Sequence, residues 1–209
     1  MTATELSGVA APRMSKSEAT RARIIAAAGI VLSEAGYPHT RLSAIAAEAG
    51  MQTGSLYYYF DSKEELVEEA LSGGARIAHK RVRSAIENVP DGASAGERLS
   101  VAVRSFISVR LEIGIISSAH IRNYRDLPGE MRDRLKPELE AFSRLWDDLV
   151  LAAVESGDIR NDIDSRALHL FVVHTSEQLA RWPSAAKGSI EDTVDVMFRL
   201  MFDGLAGAQ

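Results

Sequence analysis

The sequence predicts an all-α protein, and three observations carry that expectation. Apolar residues return every three or four positions from Ile24 to Leu205, the period of a helix with one buried face. Nowhere does a run alternate apolar and polar residues as a half-buried strand would. Helix-start signals also recur at the right places: Ser15-Lys16-Ser17-Glu18 and Ser62-Lys63-Glu64-Glu65 both have the S-x-x-E form of a capping box, in which a hydroxyl and a carboxylate satisfy each other's backbone N–H groups.

Taken in order, the first helix follows Ser15 with Ile24, Ile25, Ala28, Val31, Leu32 and Ala35 as its buried stripe, and Gly36 ends it. Leu42, Ile45, Ala46 and Ala49 then stand at i, i+3, i+4 and i+7, which predicts a short second helix with Thr40 as N-cap, starting near Arg41. Gly50 follows at the point where a chain leaving a helix needs a left-handed backbone. Thr53 is expected to cap a third helix running to about Phe60, with Leu56 and Tyr59 turned back to the second. The fourth helix opens at Ser62 and runs toward Arg83 or Ile86, with a bend expected at Gly73-Gly74, since each glycine costs roughly 1 kcal/mol against alanine. After the turn-rich Val89–Gly96, helices are expected at Glu97–Ile113, Ser117 to about Tyr124, Pro128 or Gly129 to Glu155 with Pro137 inside, Ser165 to about Arg181, and Ile190–Leu205. Asp164 or Ser165 is expected to cap the helix that begins at Ser165.

The second and third helices and the glycine turn between them describe a helix-turn-helix. Its exposed face carries Gln52, Thr53, Ser55, Tyr57 and Tyr58, whose hydroxyls suit hydrogen bonds to phosphates and base edges in a DNA major groove. Thr53, Gly54 and Ser55 give no arginine–guanine code, so the operator bases stay unread.

Composition sets the remaining bounds. The chain has 209 residues, 46% hydrophobic and 25% charged, ordinary for a soluble globular protein. No apolar run approaches the ~20 residues that span a bilayer. Cysteine is absent, which excludes disulfides, thiol redox chemistry and Cys-ligated zinc. The start, MTATELSGVAAPRMS, lacks the charged and apolar regions of a secretory signal, so a cytoplasmic location is expected. The net charge of −5 is unevenly spread: residues 1–63 hold six Lys/Arg against five Asp/Glu, about +1, and the acidic excess lies beyond. Local charge at the docking surface governs attraction to phosphates.

The run Thr53-Gly54-Ser55-Leu56-Tyr57-Tyr58-Tyr59-Phe60 followed by Asp61-Ser62-Lys63-Glu64-Glu65-Leu66 resembles the recognition helix and fourth-helix entry of the tetracycline-repressor (TetR) family of transcriptional regulators. The likeness extends back through Arg21–Ala28 and Glu34-Ala35-Gly36-Tyr37, about the first third of the chain. It implies a flexible arm over residues 1–14, a three-helix helix-turn-helix DNA-binding domain over 15–62, and a helical effector-binding and dimerisation domain over 63–209. It places Thr53, Gly54 and Ser55 at bases, Arg41 and Ser43 at the start of the supporting helix, and Tyr57, Tyr58 and Lys63 at the phosphate backbone. The N-terminus of the fourth helix near Lys63 would then serve as a phosphate clamp. Arg13 and Lys16 either reach the backbone from the arm or are simply solvated.

One helix-turn-helix head contacts too little DNA, so a homodimer with heads ~34 Å or a multiple apart on a palindromic operator is expected. Its surface is assigned to the last two helices, where Leu168, Phe171, Val172, Thr175 and Leu179 pair with Val194, Met197, Phe198, Met201 and Phe202. A stripe at this spacing reads first as core, and the resemblance supplies the dimer. In the body, Phe106, Trp146 and their apolar neighbours either fill a core or line a cavity, with His120, Asn123, Tyr124, Arg125, His174, Gln178 and Trp182 as polar candidates for ligand contact. Ser118–Pro128 and Arg181-Trp182-Pro183 resemble the acyl-CoA-responsive branch of the family. This implies an apolar effector such as an acyl-CoA, its phosphates met by Arg122, Arg125 or Arg181. No cofactor is expected. Catalytic signatures are missing: there is no G-x-S-x-G, Gly-rich phosphate loop or H-E-x-x-H, and His169 and His174, five apart, do not share a helix face well enough to hold a metal. The rival to a ligand-controlled repressor is a DNA-binding or architectural protein whose body only dimerises, and activation stays as open as repression.

Overall fold

The computed structural model describes residues 15–113, 123–162, 164–180 and 188–202, and these form eight α-helices and two short 3₁₀ turns, with no strand among the described residues. Helix α1 spans Lys16–Ala35, and its capping box is complete: Ser15 Oγ accepts from Glu18 N at 3.2 Å while Glu18 accepts from Ser15 N at 2.7 Å. A 3₁₀ turn at Tyr37–His39 leads to α2, Leu42–Glu48. Thr40 does not cap α2. It is buried and donates its hydroxyl back to Gly36 O at 2.8 Å, leaving Arg41 at the N-cap position without a side-chain bond.

Gly50 has φ +65°, the left-handed turn expected of it, and Met51 N donates to Ala46 O at 2.9 Å across that turn. Helix α3 is a single turn, Thr53–Leu56, shorter than the sequence predicts, and its N-cap is Gln52 rather than Thr53. The chain continues as tight turns, with Tyr59 N and Phe60 N both donating to Leu56 O. This geometry lets Leu56 and Phe60 both reach the core, and a run of Gly54 and three tyrosines has little intrinsic helix propensity to resist it.

Helix α4, Lys63–Glu87, passes Gly73-Gly74 as one continuous helix. Its N-terminus is a capping box displaced by one residue: Ser62 Oγ accepts from Glu65 N at 3.0 Å, but Glu65 reaches Asp61 N, at 2.7 Å. Helix α5 spans Ala95–Ile113 and starts two residues earlier than expected because Ser94 and Glu97 make a further reciprocal box. A 3₁₀ turn at Tyr124–Asp126 stands where the end of the Ser117–Tyr124 helix is expected; the rest of that segment lies outside the described residues, as does the arm at 1–14. Helix α6, Gly129–Glu155, contains Pro137 without dividing. Helix α7, Ser165–Ala180, is capped by Asp164, which accepts from Ala167 N at 3.0 Å, and α8, Ile190–Phe202, by Ser189. No helix among the described residues is long and apolar enough to cross a membrane.

Two apolar cores result. The head core gathers Ile24, Ala28 and Leu32 of α1, Ile45 and Ala46 of α2, Leu56, Phe60, and Leu66, Val67, Ala70 and Leu71 of α4. It also takes Leu127, Met131 and Leu135, from the turn before α6 and from its first turns. The body core gathers Ala78 and Val82 of α4, Leu99 to Val109 of α5, Trp146 to Ala153 of α6, and apolar residues of α7 and α8. Thus α4 and α6 each begin in one core and end in the other. Arg21 of α1 pairs with Glu69 and lies 4.6 Å over the Phe60 ring, fixing α1 against α4 and the end of the α3 turn.

Leu56 is 1% exposed and is the buried residue of α3. Leu56→Ala is expected to cost roughly 2–5 kcal/mol, the range for a large core truncation. Urea unfolding checks this, and a loss below about 1 kcal/mol would mean that α3 is held by something other than this anchor.

Candidate DNA-reading head and effector cavity

The α2–α3 unit presents one exposed polar face. Arg41, Ser43, Gln52, Thr53, Gly54 and Tyr57 are exposed, Ser55 is half-buried, and Tyr58 is 88% exposed, the most exposed large apolar-bodied side chain of the described residues. Tyr59 is half-buried against the head core, and Phe60 is buried in it. The exposed tyrosines therefore lie where a phenol meets water or a phosphate, while the core holds the backbone that carries them.

Lys63 is half-buried, with Nζ 4.7 Å from the centre of the Tyr37 ring and 3.5 Å from Tyr37 O. Its position is thus set by the turn after α1. The expected phosphate clamp at the N-terminus of α4 is weaker than the sequence implies: Ser62 already accepts from a first-turn N–H, and Glu64 and Glu65 place negative charge there. Positive charge at this point is left to the Lys63 ammonium.

In the body, α4, α5, α6 and α7 enclose a cavity of about 280 Å³. Ala75 and Ala78 give it a small-residue wall on α4, Phe106 and Arg110 line it from α5, Leu139, Phe142 and Ser143 from α6, and His169, Leu170, Val173 and His174 from α7. Tyr124, on the 3₁₀ turn, completes the wall. It sits at the seam where α4 and α6 pass from one core to the other. Leu170 and His174 are exposed as well as lining, so the cavity meets solvent along α7.

Of the ligand contacts expected from the sequence, Phe106, Tyr124 and His174 lie on this wall. Trp146 does not: it is buried behind the wall, stacked on His169 at 5.6 Å and edge-on to Phe106 at 5.5 Å, so it supports the lining residues. Gln178 and Arg125 are exposed and away from the lining, Arg125 because it projects from the turn beside Tyr124. Asn123 is buried and faces the head: its Oδ1 accepts from Tyr37 N at 2.6 Å and its Nδ2 donates to Leu32 O at 3.2 Å. The end of α1 thus claims the side chain that the sequence assigns to ligand. His120 and Trp182, with Arg122 and Arg181, lie outside the described residues.

Arg110 and His169 were not expected here. Arg110 is 1% exposed with its guanidinium 5.5 Å from the Phe106 ring centre. The available signal is an arginine at the i+4 position from Phe106, on the apolar stripe of α5. Arginine remains charged when buried, so a guanidinium stands in a wall that is mostly apolar. Burial pushes His169 below its ordinary value, with Asp147 opposing weakly, and the ring is neutral at neutral pH.

The expected dimer stripe divides. Leu168, Val172, Val194, Met197 and Met201 are buried in the subunit's own core. Phe198 is stacked on Phe202 at 4.2 Å and covered by Arg104 at 4.0 Å, with Arg104 paired to Asp195. Phe171 at 55%, Val196 at 48% and Leu200 at 73% are exposed on these two helices, as are Leu170 and Ile190, with Thr175 partly exposed. A helix with both faces apolar has one stripe for its own core and another for something else, and periodicity alone could not say which was which. The Leu179 side chain lies outside the described residues.

A helix-turn-helix head rigidly continued into a helical body that holds an apolar cavity defines a DNA-binding regulator. Residues 24–70 match the family model described as bacterial regulatory proteins, tetR family, and residues 92–205 match that of the tetracyclin repressor-like C-terminal domain. The chain belongs to the tetR family of bacterial regulatory proteins. It is 29% identical over 192 residues to the HTH-type transcriptional repressor KstR2 of Rhodococcus jostii (strain RHA1), covering 89% of this chain and 91% of that one. Its fold matches the ketosteroid transcriptional regulator KstR2 of Mycobacterium tuberculosis with a TM-score of 0.75 at 22% identity, over 90% of this chain and 95% of that one. It also matches AibR in complex with isovaleryl coenzyme A and operator DNA, with a TM-score of 0.71 at 20% identity, over 88% and 98%.

The state of His169 has a pH consequence. Its folded pKa lies below its unfolded one, so the unfolded chain binds the extra proton first and stability falls as pH drops through about 6.5. Urea unfolding at pH 7.5 and 5.5 should show this loss in the wild type and a smaller one in His169→Phe; equal losses would place the titration elsewhere.

Proposed function

We propose that this protein represses transcription in the cytoplasm as a homodimer on a palindromic operator, and is released when an apolar, anionic effector of the acyl-CoA class enters the body cavity. The observation that carries the reading is the position of that cavity. It lies between α4 and α6, the two helices shared by both cores, with Arg110 in its wall. A ligand larger than the space present must part these helices, and since each is rigidly continued into the head, the head moves with them. Effector acts only through its differential affinity for the DNA-bound and released states.

The size and lining support the ligand class. At about 280 Å³ the cavity is near the lower end of the ~300–1,000 Å³ of ligand pockets, room for an acyl or ring portion but not for a whole coenzyme A. The nucleotide would remain outside, where exposed Arg125 stands one residue from Tyr124 of the wall. AibR, which shares the fold, has been solved in complex with isovaleryl coenzyme A and operator DNA, and this supports the choice of ligand class.

On the DNA side, Thr53, Gly54 and Ser55 take the base edges, Arg41 and Ser43 enter from the supporting helix, and Tyr57, Tyr58 and Lys63 hold phosphates. Phe171, Thr175, Val196 and Leu200 form the subunit contact, two helices from each chain making a four-helix bundle. Residues 15–62 are the DNA-binding unit and 63–209 the effector-binding and dimerising one.

The test is fluorescence polarisation at fixed salt with an operator selected from random duplexes, with and without isovaleryl-, palmitoyl- and steroid-CoA thioesters. Palindromic binding released by one thioester class is expected. Equal thioester affinity for free and DNA-bound protein would defeat the effector mechanism and favour a body that only dimerises. Tyr58→Ala should weaken operator binding about tenfold, the loss of one hydroxyl-to-phosphate hydrogen bond at ~1.5 kcal/mol, with unchanged thermal stability. Leu200→Asp should give monomers by analytical ultracentrifugation with unchanged helical circular dichroism; a persistent dimer would move the interface off α8.

A further inference from the structure

The strongest unassigned feature is the buried side chain of Asn123. It is 2% exposed and joins two elements far apart in sequence: Oδ1 accepts from Tyr37 N at 2.6 Å, and Nδ2 donates to Leu32 O at 3.2 Å. Leu32 O also accepts from Gly36 N at 3.1 Å. One amide thus holds both sides of the break where α1 ends and the turn to α2 begins. Tyr37 in turn positions Lys63, through its ring at 4.7 Å and its carbonyl at 3.5 Å. On the other side, the residue next to Asn123 is Tyr124, part of the cavity wall, and Leu127 follows in the head core.

We infer that Asn123 is a positioning residue that carries the occupancy of the body cavity to the helix-turn-helix, by holding or releasing the α1–α2 junction when Tyr124 is displaced. The inference rests on the proposed control of the head by the cavity and adds its route. An amide suits the task because it supplies one acceptor and one donor in a fixed plane, so both bonds are met in one orientation of the 3₁₀ turn. Displacing Tyr124 rotates the adjoining residue out of that orientation, and both bonds go together. Lys63 and the start of α2 then lose their common reference at the Tyr37 turn.

The experiment needs no known effector. Ser143 lines the cavity, and Ser143→Phe fills part of it from within. Wild type, Ser143→Phe, Asn123→Ala and the double variant are compared by binding to an operator selected from random duplexes and by amide hydrogen exchange at Tyr37, with amides of α5 as an internal control. Ser143→Phe is expected to weaken operator binding at least tenfold and to lower Tyr37 protection at least tenfold with α5 unchanged. In the Asn123→Ala background it should change operator binding less than twofold, since the route is already cut. The same loss from Ser143→Phe in both backgrounds, with Tyr37 protection still lowered in the wild type, overturns the role of Asn123 and leaves cavity control standing. No loss from Ser143→Phe in either background overturns both. If Asn123→Ala does not fold, Asn123→Asp replaces it: it keeps the acceptor for Tyr37 N and loses the donor to Leu32 O, and a Ser143→Phe effect undiminished in that background overturns the proposal.

Discussion

The passage of α4 and α6 from one apolar core into the other is the constraint on which the rest of this structure depends. The head, with α1 and two very short helices, has too little surface of its own to bury Ile24, Leu32, Ile45 and Leu56. It completes its core with Leu66 to Leu71 of α4 and with Leu127, Met131 and Leu135 from the approach and start of α6. Hydrophobic stabilisation is proportional to area removed from water, so the head's stability is borrowed from helices whose far ends lie in the body. Arg134 of α6 to Glu68 of α4 at 2.7 Å, and His79 of α4 to Glu138 of α6 at 3.1 Å, tie the same two helices along the seam. These pairs are partly exposed and contribute little energy each. Their effect is on register, because they fix where one helix lies along the other.

That sharing explains why a cavity is tolerated where it is. A void in a close-packed interior forfeits dispersion contacts, and here it separates Ala75 and Ala78 from Leu139 and Phe142 at the point where the two helices leave one core for the other. In the proposed mechanism a ligand in the cavity would restore contacts to its lining and change the spacing of α4 and α6, whose other ends belong to the head core. The cavity and the head are therefore joined through α4 and α6 themselves.

How much of this was legible in the sequence follows from what each signal encodes. Periodicity, capping boxes and Gly50 located the helices and the helix-turn-helix because these are local properties of the chain. Thr40 and Thr53 failed as caps because other geometries competed: the Thr40 hydroxyl bonds four residues back to the Gly36 carbonyl, and α3 starts at Thr53 itself, with Leu56 and Phe60 turned into the core. Asn123 was legible as a buried polar residue but not as to which side it would face, since Tyr37 N is 86 residues away. Arg110 stood in plain view on an apolar stripe, yet an arginine on that stripe reads equally as a side chain that snorkels to the surface. On α7 and α8 apolar residues stand on the exposed as well as the buried face, so Val194, Met197 and Met201 could not be told from Val196 and Leu200 until the bundle was closed.

Charge bears on the same design. The chain carries −5 overall, and the head holds few cations: Arg21 is paired with Glu69, Lys63 lies against Tyr37 close to the acidic first turn of α4, and Lys16, Arg23 and Arg41 stand exposed. Nonspecific attachment to phosphates scales with the number of cations brought to the backbone. In the proposed complex a sparse footprint would make affinity depend on geometry, on tyrosine and threonine hydroxyls reaching their partners in two half-sites at once. A head held by many lysines would stay on DNA through a small change in subunit spacing. One held by positioned hydroxyls and a single turn of recognition helix would not, and that sensitivity is what the proposed control through α4 and α6 requires.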